Sequence, residues 1–249
     1  MLERLSEGGG LLPWLRRRLS PGEYLGLHLT IGLLLSLTAF GLFALVAHLA
    51  NGDGIPSHFD RDISERLYEH RQGSPGARYF FWVVTQLGDI WWLVLLGVFV
   101  GTLLYFRKQR RLCLVWAIAL AGGGLLDACL KLFFQRPRPE PPIRDFWLTL
   151  RTTSFPSGHS MGSVIGYVLL AYLLWLVLPH RWARRAAILV PGLLILAIGF
   201  SRIYLGAHWF TDVVGGYLAG LVWVTACITA IDTVRRRRVV NGRAERAAP

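Results

Sequence analysis

Long apolar segments recur along the chain, and polar residues collect between them. The apolar segments cover residues 26–49, 88–106, 112–133, 159–178, 186–204 and 213–231. Each is close to the ~20 residues that a helix needs to cross a bilayer. Helices also satisfy their own backbone hydrogen bonds, which lipid cannot do. The pattern therefore predicts an all-α, polytopic membrane protein with six transmembrane helices, in a single domain of residues 1–249.

The second apolar segment has a polar interruption near its start. Residues 79–87 are apolar as well, and Gly88-Asp89 separates them from Trp91 and Trp92. We interpret residues 79–87 as an interfacial segment that leads into the second span. The boundary of that helix is left open by the pattern.

Basic residues lie mainly in four polar segments, which a path of six spans places on one side of the membrane. These segments are residues 1–25, 107–111, 179–185 and 232–249. Positively charged segments next to spans are retained in the cytoplasm. We therefore predict that the N-terminal segment and the basic tail are both cytoplasmic. From the compact architecture we expect the membrane to be the bacterial inner (plasma) membrane. The loop of residues 50–87, where Arg is offset by Asp and Glu, is then predicted to face the periplasm or cell exterior.

The net charge of +12 does not indicate a nucleic-acid partner. The excess Arg residues lie at the ends of spans, where anionic lipid headgroups attract them, so the predicted partner is the bilayer itself. Cys113, Cys129 and Cys227 all fall within predicted spans, and the predicted outer loops contain no Cys. A disulfide framework is therefore not expected.

Three clusters of polar residues lie at span ends that would share the outer membrane–water boundary. They are Lys131 with Arg138-Pro139, then Pro156-Ser157-Gly158-His159, and finally Ser201-Arg202 followed by His208 and Asp212. Each cluster has a structural alternative on its own. Cations can snorkel to headgroups, a Ser before a helix can be an N-cap, and a His–Asp pair can cap a helix. Together, the three cations Lys131, Arg138 and Arg202 match an anion with several oxygens, which indicates a phosphate site.

The second and third clusters carry the reactive side chains. The helix that starts after Ser157 offers free backbone N–H groups to an anion, and the Ser hydroxyl can act as a further donor. His159 can donate a proton near neutral pH. His208 and Asp212 are four residues apart and share one helix face. Asp212 can therefore hold one imidazole nitrogen while the other attacks phosphorus.

Three further charged residues have two interpretations each. Asp127 lies one turn before Lys131 in an apolar helix, where a charge is costly, so it either orients Lys131 or makes a polar contact between helices. Arg144 and Arg151 either touch a distal phosphate or headgroup, or belong to an interfacial belt of basic and aromatic residues. The run Gly122-Gly123-Gly124 predicts close helix packing.

The spacing of these residues resembles that of the type 2 phosphatidic acid phosphatase superfamily. The pattern is Lys, six residues, Arg-Pro; then Pro-Ser-Gly-His; then Ser-Arg, five residues, His, three residues and Asp, and the chain matches it between residues 131 and 212. The resemblance implies His208 as the nucleophile that forms a phosphohistidine, Asp212 as its orienting partner and His159 as the general acid. The phosphate-binding residues that it implies are Lys131, Arg138, Ser157, Gly158 and Arg202. It implies no metal and no other cofactor.

Three functions compete on this sequence. The first is a lipid phosphatase, for which undecaprenyl pyrophosphate is the preferred substrate because an outward-facing site suits recycling of that carrier. Phosphatidylglycerophosphate or phosphatidic acid is the alternative substrate. The second function is a vanadium-dependent haloperoxidase, which the resemblance implies to be soluble, so six spans argue against it. The third is a non-catalytic lipid-binding or transport protein, against which the intact His208, His159 and Asp212 argue. No oligomeric state is predicted.

Overall fold

The structure, a computed structural model, describes residues 27–51, 58–140 and 153–247. Within these ranges the chain forms eight helices and no strand. The helices are α1 (Leu27–Asn51), α2 (His58–Gln72), α3 (Pro75–Gln86), α4 (Ile90–Phe106), α5 (Arg110–Phe134), α6 (Gly158–Val177), α7 (Arg181–Tyr204) and α8 (Phe210–Ala247). The predicted all-α fold class is therefore confirmed.

The helices account for the predicted membrane spans, with one difference. Five of them, α1, α5, α6, α7 and α8, contain stretches long and apolar enough to cross a membrane. The helices α3 and α4 meet at a bend of 43°, and together they make a sixth span if the pair is counted as one. The stretch interpreted as an interfacial lead-in is thus helical, and it continues into α4 through a break.

The break between α3 and α4 keeps its backbone groups satisfied. The Asp89 side chain caps α4 by accepting a hydrogen bond of 3.0 Å from the Trp91 N–H. The Leu87 carbonyl accepts one of 2.6 Å from the hydroxyl of Tyr167 on α6, and that hydroxyl accepts one of 2.9 Å from Trp92 Nε1. Unpaired backbone groups are costly at membrane depth, so these partners allow a helix to bend there.

The described residues divide into two compact units. The smaller unit contains α1 as far as Thr38 and α8 from Thr225 onward. Within it, Ser36 Oγ and Thr225 Oγ1 share a hydrogen bond of 2.7 Å, and a Cβ at Gly32 would lie only 2.1 Å from Thr229 Oγ1. The lack of a side chain at Gly32 therefore permits this close helix contact.

The larger unit, Ala39–Val224, contains all of the candidate reactive residues that the structure describes. Its helices approach closely at α5, where a Cβ on Gly122 would lie 2.4 Å from the Trp223 ring and one on Gly123 would lie 2.5 Å from Ile165 Cδ1. The Trp223 indole donates a hydrogen bond of 2.8 Å to the Ala119 carbonyl. Gly124 meets no neighbour, so only the first two residues of the glycine run serve the predicted packing.

Large apolar side chains are exposed on the membrane-spanning helices. Leu37 of α1, Phe99 of α4 and Phe133 of α5 are 65%, 61% and 79% exposed. Soluble monomers rarely expose large apolar side chains along whole helices in this way. This is the surface expected of helices that face lipid, so the chain is a membrane protein.

Candidate active site

The carboxyl end of α5 holds Lys131 in a fixed position. Lys131 Nζ lies 2.5 Å from Asp127 Oδ1 and 2.6 Å from Oδ2, one helical turn away. A Cβ on Gly158, at the start of α6, would lie 3.0 Å from Asp127 Oδ2 and 3.1 Å from Lys131 Nζ. Because residue 158 has no side chain, the start of α6 approaches this ion pair closely.

The helix start that was predicted to bind an anion is buried against α8. Ser157 occupies the N-cap position of α6 and is fully buried, and its N–H donates a 3.0 Å hydrogen bond to the Asp212 carbonyl. Its side chain makes no capping hydrogen bond, so the alternative of a side-chain cap is not what the structure shows; the hydroxyl accepts instead from Ser160 Oγ at 3.2 Å. A Cβ on Gly216 would lie 2.6 Å from the Ser157 carbonyl, so Gly216 permits this contact.

His208 lies in the short turn between α7 and α8 and is 2% exposed. Arg138 Nη1 lies 2.9 Å from His208 Nε2 and donates a second hydrogen bond, of 2.8 Å, to the Ala207 carbonyl. A guanidinium can only donate, so Nε2 must be the unprotonated nitrogen and Nδ1 must carry the proton. This tautomer, inferred from the hydrogen-bond network, leaves a lone pair on Nε2.

The surroundings of His208 favour its neutral form. Burial lowers the pKa of the imidazole well below its ordinary value, and the nearby charges of Arg138, Arg202 and Lys131 lower it further. All three predicted cations therefore act on the same imidazole. A neutral imidazole near pH 7 is the form that can act as a nucleophile.

The carboxylate of Asp212 faces His208 but has other donors. Asp212 Oδ2 lies 3.4 Å from His208 Nδ1, beyond the usual range of an N–H···O hydrogen bond. The same oxygen accepts from the Trp209 N–H at 2.9 Å and from the Ser154 hydroxyl. Arg136 Nη1 donates to the other oxygen, Oδ1, at 2.5 Å. Asp212 is thus held beside the imidazole by three donors.

Sequence reasoning missed Arg136, which is nearly fully buried. The helix α5 ends at Phe134, and the next residue, Gln135, is in a left-handed conformation with φ of 47°. Pro137 and Pro139 then prevent any helix from continuing. The Arg136 carbonyl accepts a 2.7 Å hydrogen bond from the Ser154 N–H. This pairing places Arg136 and Ser154 side by side at Asp212. The signal was present in the doubled Arg-Pro of residues 136–139.

A second set of missed residues comes from the α3–α4 break. Thr85 of α3 accepts a 2.9 Å hydrogen bond at Oγ1 from Nη1 of the predicted Arg202, which is 4% exposed near the end of α7. His159 Nε2 lies 3.8 Å from Asp89 Oδ2, and a Cβ on Gly88 would lie 3.3 Å from His159 Cδ2. The Gly-Asp interruption in an apolar segment was the sequence signal for this contact.

The structure therefore gathers the predicted residues of all three clusters at one end of α5, α6, α7 and α8. Arg144 and Arg151 lie outside the described residues. Among the side chains that the structure describes, no group of three or more His, Cys, Asp or Glu residues is arranged to hold a metal ion. What the site presents is a neutral imidazole, a second histidine and three cations, a combination suited to binding and transferring a phosphoryl group.

A helical fold with such a site at one end of its spans is that of a class of membrane-bound phosphatases. The chain belongs to the PAP2 superfamily, whose family model matches residues 110–236. A phosphatidylglycerophosphatase B of Bacillus subtilis is 32% identical over 184 residues, covering 73% of this chain and 87% of that protein. A putative undecaprenyl-diphosphatase of Escherichia coli is 36% identical over 124 residues, covering 49% of this chain and 57% of that protein.

A solved structure shows the same fold. The crystal structure of a transmembrane PAP2-type phosphatidylglycerolphosphate phosphatase from Bacillus subtilis superposes with a TM-score of 0.70 at 28% identity. The match covers 78% of this chain and 94% of that one. The family resemblance carried by the three clusters is thereby confirmed, and the chain is a membrane phosphatase of the lipid-phosphate type.

Proposed function

We propose that the protein hydrolyses a lipid phosphate or pyrophosphate through a phosphohistidine on His208. The observation that carries the proposal is the orientation of this imidazole. Its Nε2 lone pair faces Arg138, while its protonated Nδ1 faces Asp212. A phosphoryl group bound by the cations would therefore meet the unprotonated nitrogen.

In the first step, Lys131, Arg138 and Arg202 bind the phosphoryl oxygens, together with Ser157 and the N–H of Gly158 at the start of α6. The Arg138 N–H that donates to Nε2 of His208 now donates to an oxygen of the substrate instead. The freed lone pair then attacks phosphorus and forms an N–P bond. The bond between phosphorus and the leaving oxygen breaks, and that oxygen takes a proton from His159.

In the second step, water completes the reaction. His159, now neutral, accepts a proton from a water molecule whose oxygen attacks phosphorus. The N–P bond breaks and its electron pair returns to Nε2 of His208, which releases inorganic phosphate. Throughout, Asp212 keeps the proton on Nδ1 and offsets the positive charge that the phosphorylated imidazole carries. Apo hydrogen bonds at catalytic sites often shorten in the complex, so we expect the 3.4 Å separation to close.

The proposed substrate is undecaprenyl pyrophosphate, which would be converted to undecaprenyl phosphate and phosphate. The names of the two relatives support a lipid substrate of either kind, since one is a phosphatidylglycerophosphatase and the other a putative undecaprenyl-diphosphatase. The basis for the preference is the proposed external site. Phosphatidylglycerophosphate or phosphatidic acid is the alternative.

We propose that both termini are cytoplasmic and that the site faces the periplasm or cell exterior. The basic segments at residues 107–111 and 179–185 support this orientation, because each connects two spans at the end opposite the site. The test is labelling of intact cells with a membrane-impermeant maleimide, in a variant without native Cys. A Cys at exposed position Asp62 should react and one at Arg185 should not; the opposite result would invert the topology.

We further propose that the reaction needs no metal, since the three cations already offset the phosphoryl charge. The first experiment is phosphate release by detergent-purified protein in EDTA. It compares undecaprenyl pyrophosphate, phosphatidylglycerophosphate and phosphatidic acid, with His208→Ala as the control. Release that disappears in the variant supports the histidine mechanism and ranks the substrates. Release that persists in folded His208→Ala protein contradicts the mechanism, and release abolished by EDTA alone contradicts metal independence.

A further inference from the structure

A buried chain of charged groups runs from α2 to the proposed nucleophile. Asp60, near the start of α2, is fully buried, and its Oδ2 lies 2.8 Å from Arg136 Nη2. The other terminal nitrogen of Arg136, Nη1, lies 2.5 Å from Asp212 Oδ1. Asp212 Oδ2 in turn faces Nδ1 of His208 at 3.4 Å. One guanidinium therefore joins two carboxylates, and the second of these faces the imidazole.

Asp60 also contacts the start of α8 directly. Its Oδ1 accepts from the Thr211 N–H at 3.0 Å, and its Oδ2 accepts from the Thr211 hydroxyl at 2.6 Å. The amino end of a helix carries partial positive charge and unsatisfied N–H groups, so a carboxylate is favoured there. Thr211 is the residue immediately before Asp212, so this contact fixes the backbone that carries the orienting carboxylate.

The opposite end of α2 has a complementary attachment. Arg71 is buried and donates from Nη1 to the Tyr204 carbonyl, at the carboxyl end of α7, at 3.0 Å. The helix α2 is thus tied by an acidic residue to the start of α8 and by a basic residue to the end of α7. Between those two attachment points lies the turn that carries His208.

The sharing of Arg136 affects how well Asp212 can act on the histidine. If Arg136 faced Asp212 alone, its whole charge would be offset by that carboxylate, which would then be a poorer acceptor for the Nδ1 proton. With Asp60 present, two carboxylates share the positive charge of the Arg136 guanidinium. Because the cluster is buried, water does little to screen these interactions.

We propose that Asp60 is a positioning residue for the reaction, acting through Arg136 and Thr211 to hold the Asp212 carboxylate toward His208. This inference rests on the proposed function, in which His208 is the nucleophile. The described hydrogen-bond partners of Asp60 are Arg136, which contacts Asp212, and Thr211, which immediately precedes it. The contribution of Asp60 should therefore fall on the chemical step and not on substrate binding.

The test is the Asp60→Asn variant, which keeps the size of the side chain and removes its charge. We expect kcat to fall by about 10- to 100-fold, the range for losing a hydrogen bond to a charged group, while KM changes by less than about threefold. Asp62→Asn, an exposed residue on the same helix, is the matched control and should behave like the unmodified protein. Thr211→Val, which removes the hydroxyl that donates to Asp60 Oδ2 and accepts from Arg136 Nη1 at 2.8 Å, is a second variant in case Asp60→Asn folds poorly.

A purely structural role makes a different prediction. In that case Asp60→Asn would lower the thermal midpoint in detergent, but the folded fraction would keep its kcat, which would overturn the proposal. A double-mutant cycle with Arg136→Gln gives a further criterion. If Asp60 acts through Arg136, Asp60→Asn should lower kcat much less in the Arg136→Gln variant than in the unmodified protein. If the effects of the two substitutions on kcat are fully additive, Asp60 does not act through Arg136.

Failure of the inference and failure of the proposed function can be told apart. If the unmodified protein releases phosphate, His208→Ala does not, and Asp60→Asn equals Asp62→Asn, only the inference is wrong. If His208→Ala remains active, the proposed nucleophile is wrong and the inference falls with it.

Discussion

Arg202 and Thr85 are joined by a hydrogen bond of 2.9 Å, although they are 117 positions apart in the chain. The bond connects the end of α7 to α3, next to the break before α4. It gives a buried guanidinium a neutral acceptor, so the charge of Arg202 remains available for the proposed contact with the substrate phosphate.

Replacement of Thr85 by Val should therefore weaken the interaction of Arg202 with the phosphate of the substrate. Without its acceptor, the guanidinium loses a buried hydrogen bond, which is worth about 1–3 kcal/mol, so kcat/KM should drop about tenfold. Steady-state phosphate release measures this effect. Thr85→Ser, which keeps the hydroxyl, should retain most of the activity, and equal losses in both variants would assign the effect to packing.

The contact between Asp89 and His159 leads to a prediction about the leaving group. The carboxylate lies 3.8 Å from Nε2 of His159, the side chain that gives its proton to the leaving oxygen in the proposed mechanism. Asp89→Asn should lower kcat about tenfold for phosphatidic acid or phosphatidylglycerophosphate, whose leaving group is an alkoxide. Asn remains a good N-cap, so α4 should stay intact.

Leaving-group dependence separates this role from a structural one. An aryl phosphate such as p-nitrophenyl phosphate needs little protonation of its leaving oxygen, so its hydrolysis should be nearly unaffected in Asp89→Asn. Equal losses for the aryl and the lipid substrate would indicate that Asp89 does not act through the acid.

A side chain at residue 158 should displace the ion pair that it faces. In Gly158→Ala the new methyl group would meet the Lys131–Asp127 pair at 3.0–3.1 Å, so the pair must shift. Overpacking of this kind costs about 1–3 kcal/mol, and a displaced Lys131 should raise KM about tenfold. Gly124→Ala is the control, since no atom lies within 4 Å of that Cβ and activity should be unchanged. A normal KM for Gly158→Ala would show that Lys131 has room to adjust.

The buried His208 should make stability depend on pH in a defined direction. Its pKa is lowered in the folded protein, whereas in the unfolded chain it is near its ordinary value of about 6.5. Below that value the unfolded chain binds a proton that the folded protein does not, so stability falls as pH falls. Above it the residue contributes no pH dependence.

Thermal midpoints in detergent at pH 7.5 and pH 5.5 measure this effect. The decrease between the two should be smaller for His208→Gln, which cannot take up the proton, than for the unmodified protein. A decrease of the same size in both would mean that the imidazole titrates alike in the folded and unfolded states.

The spans and the reactive clusters could be predicted because each depends on local sequence. A segment that must satisfy its own backbone in lipid leaves a long apolar run, and the clusters such as Pro156 to His159 are contiguous or closely spaced. The bend between α3 and α4 was only partly visible. The Gly88-Asp89 interruption indicated where the bend lies. It did not indicate that the preceding residues form a separate helix.

The supporting residues were hidden because they depend on distant contacts. Asp60 is one of several acidic residues in a polar segment, and only the folded chain brings it to Arg136, 76 positions away. Arg136 could not be told apart from Arg138 as a functional residue, since both precede a Pro in the same short segment. Ser154 reaches Asp212 only because the segment after α5 pairs with it.

The shortness of α4 has a consequence for the surrounding bilayer. Counted without α3, from which a bend of 43° separates it, α4 has 17 residues that rise about 26 Å at 1.5 Å per residue, less than the ~30 Å thickness of the hydrocarbon core. A membrane adapts to such a hydrophobic mismatch partly by thinning around the short helix. Lipids beside the α3–α4 break would then carry their headgroups deeper than elsewhere, at the level of His159. A lipid phosphate could then reach His159, the proposed general acid, by lateral diffusion, without being lifted out of its leaflet.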